Sequence, residues 1–514
     1  MFQRSLAAAL LLAVVAVAPA DPAGWRDEVL VAPGPAVSHH TGLAISTHGS
    51  IIHVAWATSV NADPECNVPW YTRSTDGGQT WEPPRPFCCS LGTAFNQNQV
   101  AMVADDGTVA ALAPAGQPLI LRDFSPDNGI TWEGGRSFGQ GLRPAVTSLW
   151  GWRFAVWDDK RFGGTGNTEL FFKRSMDQGR TWGPPPGQGV PPDNGMRLTD
   201  LPGRSEDADI CSEVLVEGTQ PPPQPCGFII VVWADNTPGD PHPFDLRINW
   251  SGDGGESWFY GTQGHEVWPT PGHSRYPAID CYETAYPWML HLVWQEGENG
   301  ICYTRSTNRG ESWDALQQIG TGYHPDVVVD QHGVHVVWWT HGMYTDVIKY
   351  RRSADFGNTW GPVIQLTSLE PSYIYSDSRF PKITADPQGR HVVFGDSREA
   401  SEALAVWYKQ NPISSSPDGQ SSVGTTPAGP ALLTVRPNPT NGPIAISFSS
   451  ALGKQTSIAV HDACGREVRR LTCSGSEARW NGQDLQGRQV AAGVYYLEAI
   501  GPASRARTQV LILR

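Results

Sequence analysis

The stretch RSTDGGQTW, Arg73 to Trp81, decides how this chain is read, because it returns. FSPDNGITW ends at Trp132, RSMDQGRTW at Trp182, WSGDGGESW at Trp258, RSTNRGESW at Trp313 and RSADFGNTW at Trp360. Reduced to S-x-[DN]-x-G-x-[ST]-W, the six copies put Asp76, Asp127, Asp177, Asp253, Asn308 and Asp355 in one column, with one long insertion before Asp253. Steps of about 50 residues are the mark of a solenoid or propeller. Within each box, Gly gives the backbone freedom of a tight turn, and Asp or Asn can accept nearby backbone amides. Ser and Thr hydroxyls can satisfy the rest, leaving Trp to pack between units. The box is therefore expected to close a hairpin. A ligand or calcium site at every box is the weaker alternative, since one turn chemistry repeated in every unit serves folding better than a single reaction.

The residues around the boxes follow one grammar. A first strand starts near a proline (RPAVTS, RYPAID, HPDVVVD, RFPKITAD), and a second ends in an aromatic (HVAW, FAVW, IVVW, HLVW, HVVW, HVVF). A third runs into the box (LFFKRS, ICYTRS, IKYRRS), and a fourth follows its Trp (WGPVIQLTS). Four antiparallel strands per unit make a propeller blade. Units beginning near Leu43, Gln99, Arg143, Asp207, Arg275, His324 and Arg379 give seven blades, with six as the alternative. The last unit has three strands and no box, while GWRDEVLVAPG near the amino terminus reads as an orphan fourth strand. Trp25 to Ala32 is thus expected to complete the last blade and latch the ring.

These boxes resemble the Asp boxes, or bacterial neuraminidase repeats, of the sialidase-like propeller superfamily, over roughly Trp25 to Lys409. The resemblance implies an all-β propeller and a carbohydrate-directed role, in a superfamily that includes sialidases, other glycosidases and propellers without known catalysis. After a Ser, Gly and Pro linker at 411–431, residues 432–514 run VRPNP, HDACGREVRRL and WNGQDLQGRQVAAGVYYLEA. That tail resembles the immunoglobulin-like carboxy-terminal domains of the flagellar hook-capping and type IX secretion sorting kind. It implies a small β-sandwich that engages secretion and sorting machinery; a plain spacer domain is the alternative.

Composition agrees with an exported all-β chain. With 55 Gly, 43 Pro and only 17% charged residues, the sequence favours many short strands and turns. A formal charge of −14 disfavours nucleic acid or an anionic membrane as partner. Residues 1–20 carry Arg4, an apolar run and Ala18-Pro19-Ala20, the pattern of a secretory signal peptide, and no membrane span is expected in the mature chain. The propeller then occupies 21–410. Nine cysteines in an exported chain favour disulfides. The local pairings expected are Cys211 with Cys226, Cys281 with Cys302 and Cys464 with Cys473, with one of Cys66, Cys88 and Cys89 left over. Neither a zinc pattern nor another metal site is read, no cofactor is expected, and the chain is taken as a monomer.

Strand direction locates the candidate site. If the boxes lie on one face, the starts of first strands and the ends of second strands share the other, around the central channel. There the sequence places Arg143, Arg275, Arg379 and His324, with Asp159, Asp235, Glu296 and Asp396 two residues beyond the strand-two aromatic, and Arg398 nearby. In a sialidase, three arginines hold the substrate carboxylate, an Asp is the acid and base, and a Tyr paired with a Glu attacks the sugar. SRYP and SRFP resemble that family's Arg-Ile-Pro element. The resemblance nominates Arg143, Arg275 and Arg379 for the cluster, Asp159 as acid, and Tyr373 or Tyr375 with Glu399 as nucleophile pair. Trp150, Trp152, Trp288 and Trp339 are candidate stacking platforms. Against catalysis stand the first blade, SHHTGLAIS, which lacks arginine, and the recurrence of Arg-x-Pro and W-x-[DE], which ion pairs between blades would also produce. The expectation is a secreted or cell-surface propeller that recognises a glycan or surface polysaccharide without cutting it. An exo-α-sialidase-type glycoside hydrolase and a structural surface-layer component are the alternatives.

Overall fold

A computed structural model describes residues 24–33, 42–57, 69–87, 99–114, 119–149, 151–161, 167–185, 194–214, 227–237, 243–268, 270, 272–282, 289–342, 345–367, 378–398, 405–412, 433–436, 443–448, 457–462, 467–472, 477–500 and 505–512. These residues form strands and turns and no helix. Between Val29 and Pro412 there are seven four-stranded antiparallel sheets. Their innermost strands are Leu43–His48, Ala101–Asp105, Leu142–Leu149, Ser205–Val214, Ser274–Tyr282, Tyr323–Asp330 and Ser378–Asp386, and they number the sheets first to seventh here. Each inner strand packs against the next, and the first packs against the seventh. The fold is an all-β propeller.

The seventh sheet is closed by a strand from the opposite end of the chain. Val29–Ala32 pairs antiparallel with Ala405–Pro412, as the orphan strand in the sequence requires. Glu28 makes an ion pair with Arg398, whose guanidinium lies 4.3 Å from the Trp407 ring centre. The latch therefore combines a hydrogen-bonded strand with a charged clasp.

Each second strand is buried on both sides, which accounts for its nearly continuous apolar sequence. Trp157, Trp233, Trp294 and Trp338 stand near the ends of four of these strands and are at most 1% exposed. The first, fifth, sixth and seventh sheets carry a repeated polar pair. The Nδ1 atoms of His53, His291, His335 and His391 meet the hydroxyls of Tyr71, Tyr303, Tyr350 and Tyr408 at 2.7–2.8 Å, His from the second strand and Tyr from the third.

All six boxes adopt one hydrogen-bonded turn. In the first, Ser74 Oγ donates to Asp76 Oδ1 at 2.7 Å and accepts the Gly78 amide at 2.8 Å; Asp76 also accepts the Thr80 amide and hydroxyl at 2.9 and 2.6 Å. Asp127, Asp177, Asp253 and Asp355 repeat these bonds, and Asn308 keeps the geometry by donating its Nδ2 to Ser312. The box carboxylates are used by their own turns. Box tryptophans reach the preceding sheet: Trp132 packs edge-on against Tyr71, Trp258 against Phe172, Trp360 against Tyr303 and Trp81 against Tyr408. The box glycine gives room for that contact. A Cβ on Gly129, at φ +78°, would stand 1.8 Å from Tyr71 Oη.

The cysteines depart from expectation. Cys211, Cys281 and Cys302 are free thiols. Cys281 faces Leu290 across the fifth sheet, whereas Cys302 faces Trp294 from the far side of that same second strand. Two strand spacings and four residues separate them, beyond the reach of a disulfide. The Cys281–Cys302 pairing is therefore corrected. Cys226, Cys464, Cys473, Cys66, Cys88 and Cys89 lie outside the described residues.

From Leu433 onward the described residues form two further antiparallel sheets. One holds Leu433–Arg436, Ile444–Phe448 and Glu477–Trp480; the other holds Glu467–Thr472, Ser457–His461, Gly493–Ile500 and Arg505–Ile512. Ile446, Ile458, Val460, Trp480, Leu497 and Val510 form their core.

Candidate functional site

In the third sheet Leu142 pairs with Asp158 at one end, while Ser175, where the box begins, pairs with Arg153 at the other. First-strand starts and boxes therefore sit at opposite faces. At the face without boxes, five consecutive inner strands carry the same irregularity. Their pairing slips between Leu142 and Ala145, Glu206 and Asp209, Arg275 and Ala278, Tyr323 and Asp326, and Arg379 and Lys382. One residue in each bulge is left-handed: Arg143, Asp207, Tyr276, His324 and Phe380, at φ 48°, 59°, 52°, 47° and 54°. Proline follows four of the five, as Pro144, Pro277, Pro325 and Pro381. Non-glycine residues avoid this region, and bulges recur beside functional sites, where they re-aim a side chain.

These five residues form an arc. At one end Arg143 bonds Asp158, Glu206 at 2.5 Å and Asp207 at 2.7 Å. Arg275 takes the other side of Asp207 at 2.7 Å and lies over Phe244, its guanidinium carbon 4.2 Å from the ring centre. Burial by itself would lower the pKa of Arg143, but Asp158, Asp207 and Glu206 outweigh it and raise it, so the guanidinium stays charged. Burial raises the pKa of Asp158, and the neighbouring charges of Asp207 and Glu206 raise it further against the opposing pull of Arg143.

The other end is aromatic. The rings of Tyr276 and His324 have centres 4.0 Å apart, His324 meets Phe380 edge-on at 5.3 Å, and Trp339 stacks on Tyr323 at 4.6 Å. Arg379 lies 5.1 Å from the Trp339 ring and bonds Asp346 at 2.5 Å; His341 bonds the second oxygen of that carboxylate at 2.5 Å. Burial, followed by the charge of Asp207, raises the pKa of Tyr276, so its phenol keeps its proton at neutral pH.

The structure assembles only part of the site drawn from sequence. Arg143 and Arg275 meet on Asp207, and Arg379 lies across the aromatic run on Asp346. Arg143 occupies the bulge position, whereas Arg275 and Arg379 precede it; an alignment by arginine hid this, and an alignment by proline shows it. Asp159 is 1% exposed and held by Arg161. Asp235, Glu296 and Asp396 accept the hydroxyls of Ser205, Ser274 and Ser378 at 2.7, 2.7 and 2.5 Å, which braces the first two strands of their own sheets. Arg398 serves the latch. Tyr373, Tyr375, Glu399, Trp150 and Trp288 lie outside the described residues. Trp152 opens its second strand, at the box face, so of the two described platform candidates only Trp339 belongs to the arc. Sequence reasoning missed Asp207, Glu206, Tyr276, Tyr323, Phe380 and Asp346. Among the described residues no group of three or more His, Cys, Asp or Glu side chains is placed to hold a metal ion.

Comparison with known proteins separates the two parts of the chain. Residues 434–513 match the family described as secretion system C-terminal sorting domain. A sorting domain of this kind indicates secretion or attachment at the outer cell surface. No helix among the described residues is long and apolar enough to cross a membrane. No curated protein matches the sequence. Among solved structures, an ulvan lyase, a polysaccharide lyase bound to -[GlcA(1-4)Rha3S]-, matches with a TM-score of 0.50 at 12% identity, over 74% of this chain and 95% of that one. The NanB sialidase of Streptococcus pneumoniae gives 0.40 at 12%, over 75% and 71%, and the α-L-arabinofuranosidase of Fusarium graminearum 0.40 at 13%, over 67% and 98%. At such identities the likeness is one of fold.

Proposed function

We propose that the seven sheets form a seven-bladed propeller that recognises an acidic polysaccharide at the outer cell surface or beyond, along the arc from Arg143 to Phe380. The carrying observation is that five equivalent, left-handed positions hold five different side chains, charged at one end and aromatic at the other. Aromatic rings offer flat faces to the C–H surface of a sugar, and guanidinium groups offer paired N–H donors to its carboxylate or hydroxyls. The sign of the ligand charge follows from exposure. The Arg275 and Arg379 side chains are 22% and 23% exposed, while their partners Asp207 and Asp346 are 4% and 5% exposed. Each pair thus turns its positive half outward. The solved propellers of like fold include proteins that act on ulvan and other glycans, which is consistent with this reading.

A catalytic reading rests on one observation: Tyr276 and His324 bring a protonated phenol and an imidazole into contact beside the arginines, groups able to give and take a proton. One experiment separates the two. The purified chain is titrated calorimetrically with uronate-rich, sialylated and neutral polysaccharides, and the mixtures are then analysed for new reducing ends and unsaturated uronate. Binding of acidic chains without products is the expected result. Product formation that is lost in Tyr276→Phe transfers the arc to catalysis. Absence of binding by folded protein rejects the arc as a glycan site.

A further inference from the structure

Cys211 and Cys281 lie on the inner strands of the fourth and fifth sheets, which pack directly against each other. The Ile279 amide donates to the Asp209 carboxylate at 2.9 Å, so positions 209 and 279 sit side by side. Two residues further on, where side chains return to the same side of a strand, come 211 and 281. There the two thiols interact with each other; Cys211 belongs to the cluster that holds Ile230, Val232, Leu290 and Leu292, and Cys281 packs against it. Cys302, the remaining described cysteine, is on the third strand of the fifth sheet.

We propose that Cys211 and Cys281 form a disulfide in the exported protein and staple the fourth sheet to the fifth. The export that the sorting domain implies takes the chain through an oxidising compartment. Two S–H bonds break and one Sγ–Sγ bond forms; two electrons and two protons pass to a disulfide-bearing oxidoreductase, which leaves as its dithiol. Cys281 is part-exposed and Cys211 only 4% exposed, so Cys281 is the thiol that meets the oxidant, and Cys211 displaces it from the mixed disulfide. The staple lies a few residues along the same two strands from Asp207 and Arg275, and it fixes the spacing across which they bond.

The test uses full-length protein purified without reductant, alkylated in denaturant and cut after glutamate. Cleavage after Glu206, Glu213, Glu266 and Glu283 isolates Cys211 in residues 207–213 and Cys281 in residues 267–283, away from Cys226 and Cys302. A joined peptide two hydrogens lighter than the sum of its parts, released by reductant, is expected. Alkylated thiols at both positions, or a Cys211–Cys226 peptide, overturns the proposal. A second readout is the Tm, which should fall by several degrees on reduction of the wild type and stay unchanged in Cys281→Ser. If that variant does not fold, the wild-type peptide map alone decides.

Discussion

The two faces of the propeller use the same backbone device to opposite ends. Of the ten described non-glycine residues with positive φ, four (Asn128, Gln178, Arg309 and Phe356) precede a box glycine and five make up the arc. At the box face the surrounding hydrogen bonds are the same in five copies and differ in the sixth only by the reversed bond of Asn308, and the left-handed residue varies because the turn does not depend on its side chain. At the other face the backbone is again the same, but the left-handed side chains bond one another and vary in a graded order, from cation through anion to aromatic. Repetition of both backbone and partners marks a part that folds the chain; a repeated backbone carrying unlike, mutually bonded side chains marks a part that recognises something.

That contrast can be broken experimentally. The largest effect is expected at the box face from Gly129→Val, which puts a branched side chain at φ +78° against Tyr71. A loss of about 3 kcal/mol or more in urea unfolding, or no folded protein, is predicted. If the variant were as stable as wild type, the box would not be the structural element described.

Acid should come next. Burial lowers the pKa of His53 and of His291 from 6.5 to about 3, and their Nε2 atoms have no partner among the described residues. Each folded pKa lies below its unfolded value, so between the two the unfolded chain binds more protons. The contribution is complete above pH 6.5 and is lost as the pH falls toward 3. Unfolding measured across that window should show several kcal/mol of lost stability, reduced in part in His53→Asn.

At the arc the order of effects reverses. The double variant Arg275→Ala, Arg379→Ala should bind acidic polysaccharide at least about tenfold more weakly, some 1.4 kcal/mol or more. Its stability should change by only about 1 kcal/mol, because Arg143 still pairs with Asp207 and His341 still bonds Asp346. A large stability loss with unchanged binding would make the arc a brace between sheets. The smallest effect is expected from Asn308→Asp, which restores the acid found in the other five boxes and only reverses the bond to Ser312. Its stability should stay within about 0.5 kcal/mol of wild type.

The propeller was legible because each unit writes its strands, its proline and its box within about 50 residues. The latch was legible as well, since a sheet lacking a strand and a strand lacking a sheet stand at opposite ends of one chain. The arc was harder to read. Arg143, Arg275 and Arg379 look equivalent by residue type, yet the bulge puts Arg143 in the column of Tyr276, His324 and Phe380. Aspartates after the second-strand aromatic look like a catalytic ring, but serines one strand away consume most of them.

What the sequence determined by itself is what neighbouring residues decide: strand order, turn chemistry, the box hydrogen bonds and a tail with its own core. What only the tertiary structure decided is which residues of different sheets meet. Asp207 between Arg143 and Arg275, Tyr276 against His324, and Cys211 beside Cys281 are contacts between sheets, with partners from 48 to 70 positions apart. No local pattern encodes them, because they depend on the bulge that turns each side chain and on the ring closure that sets one inner strand beside the next.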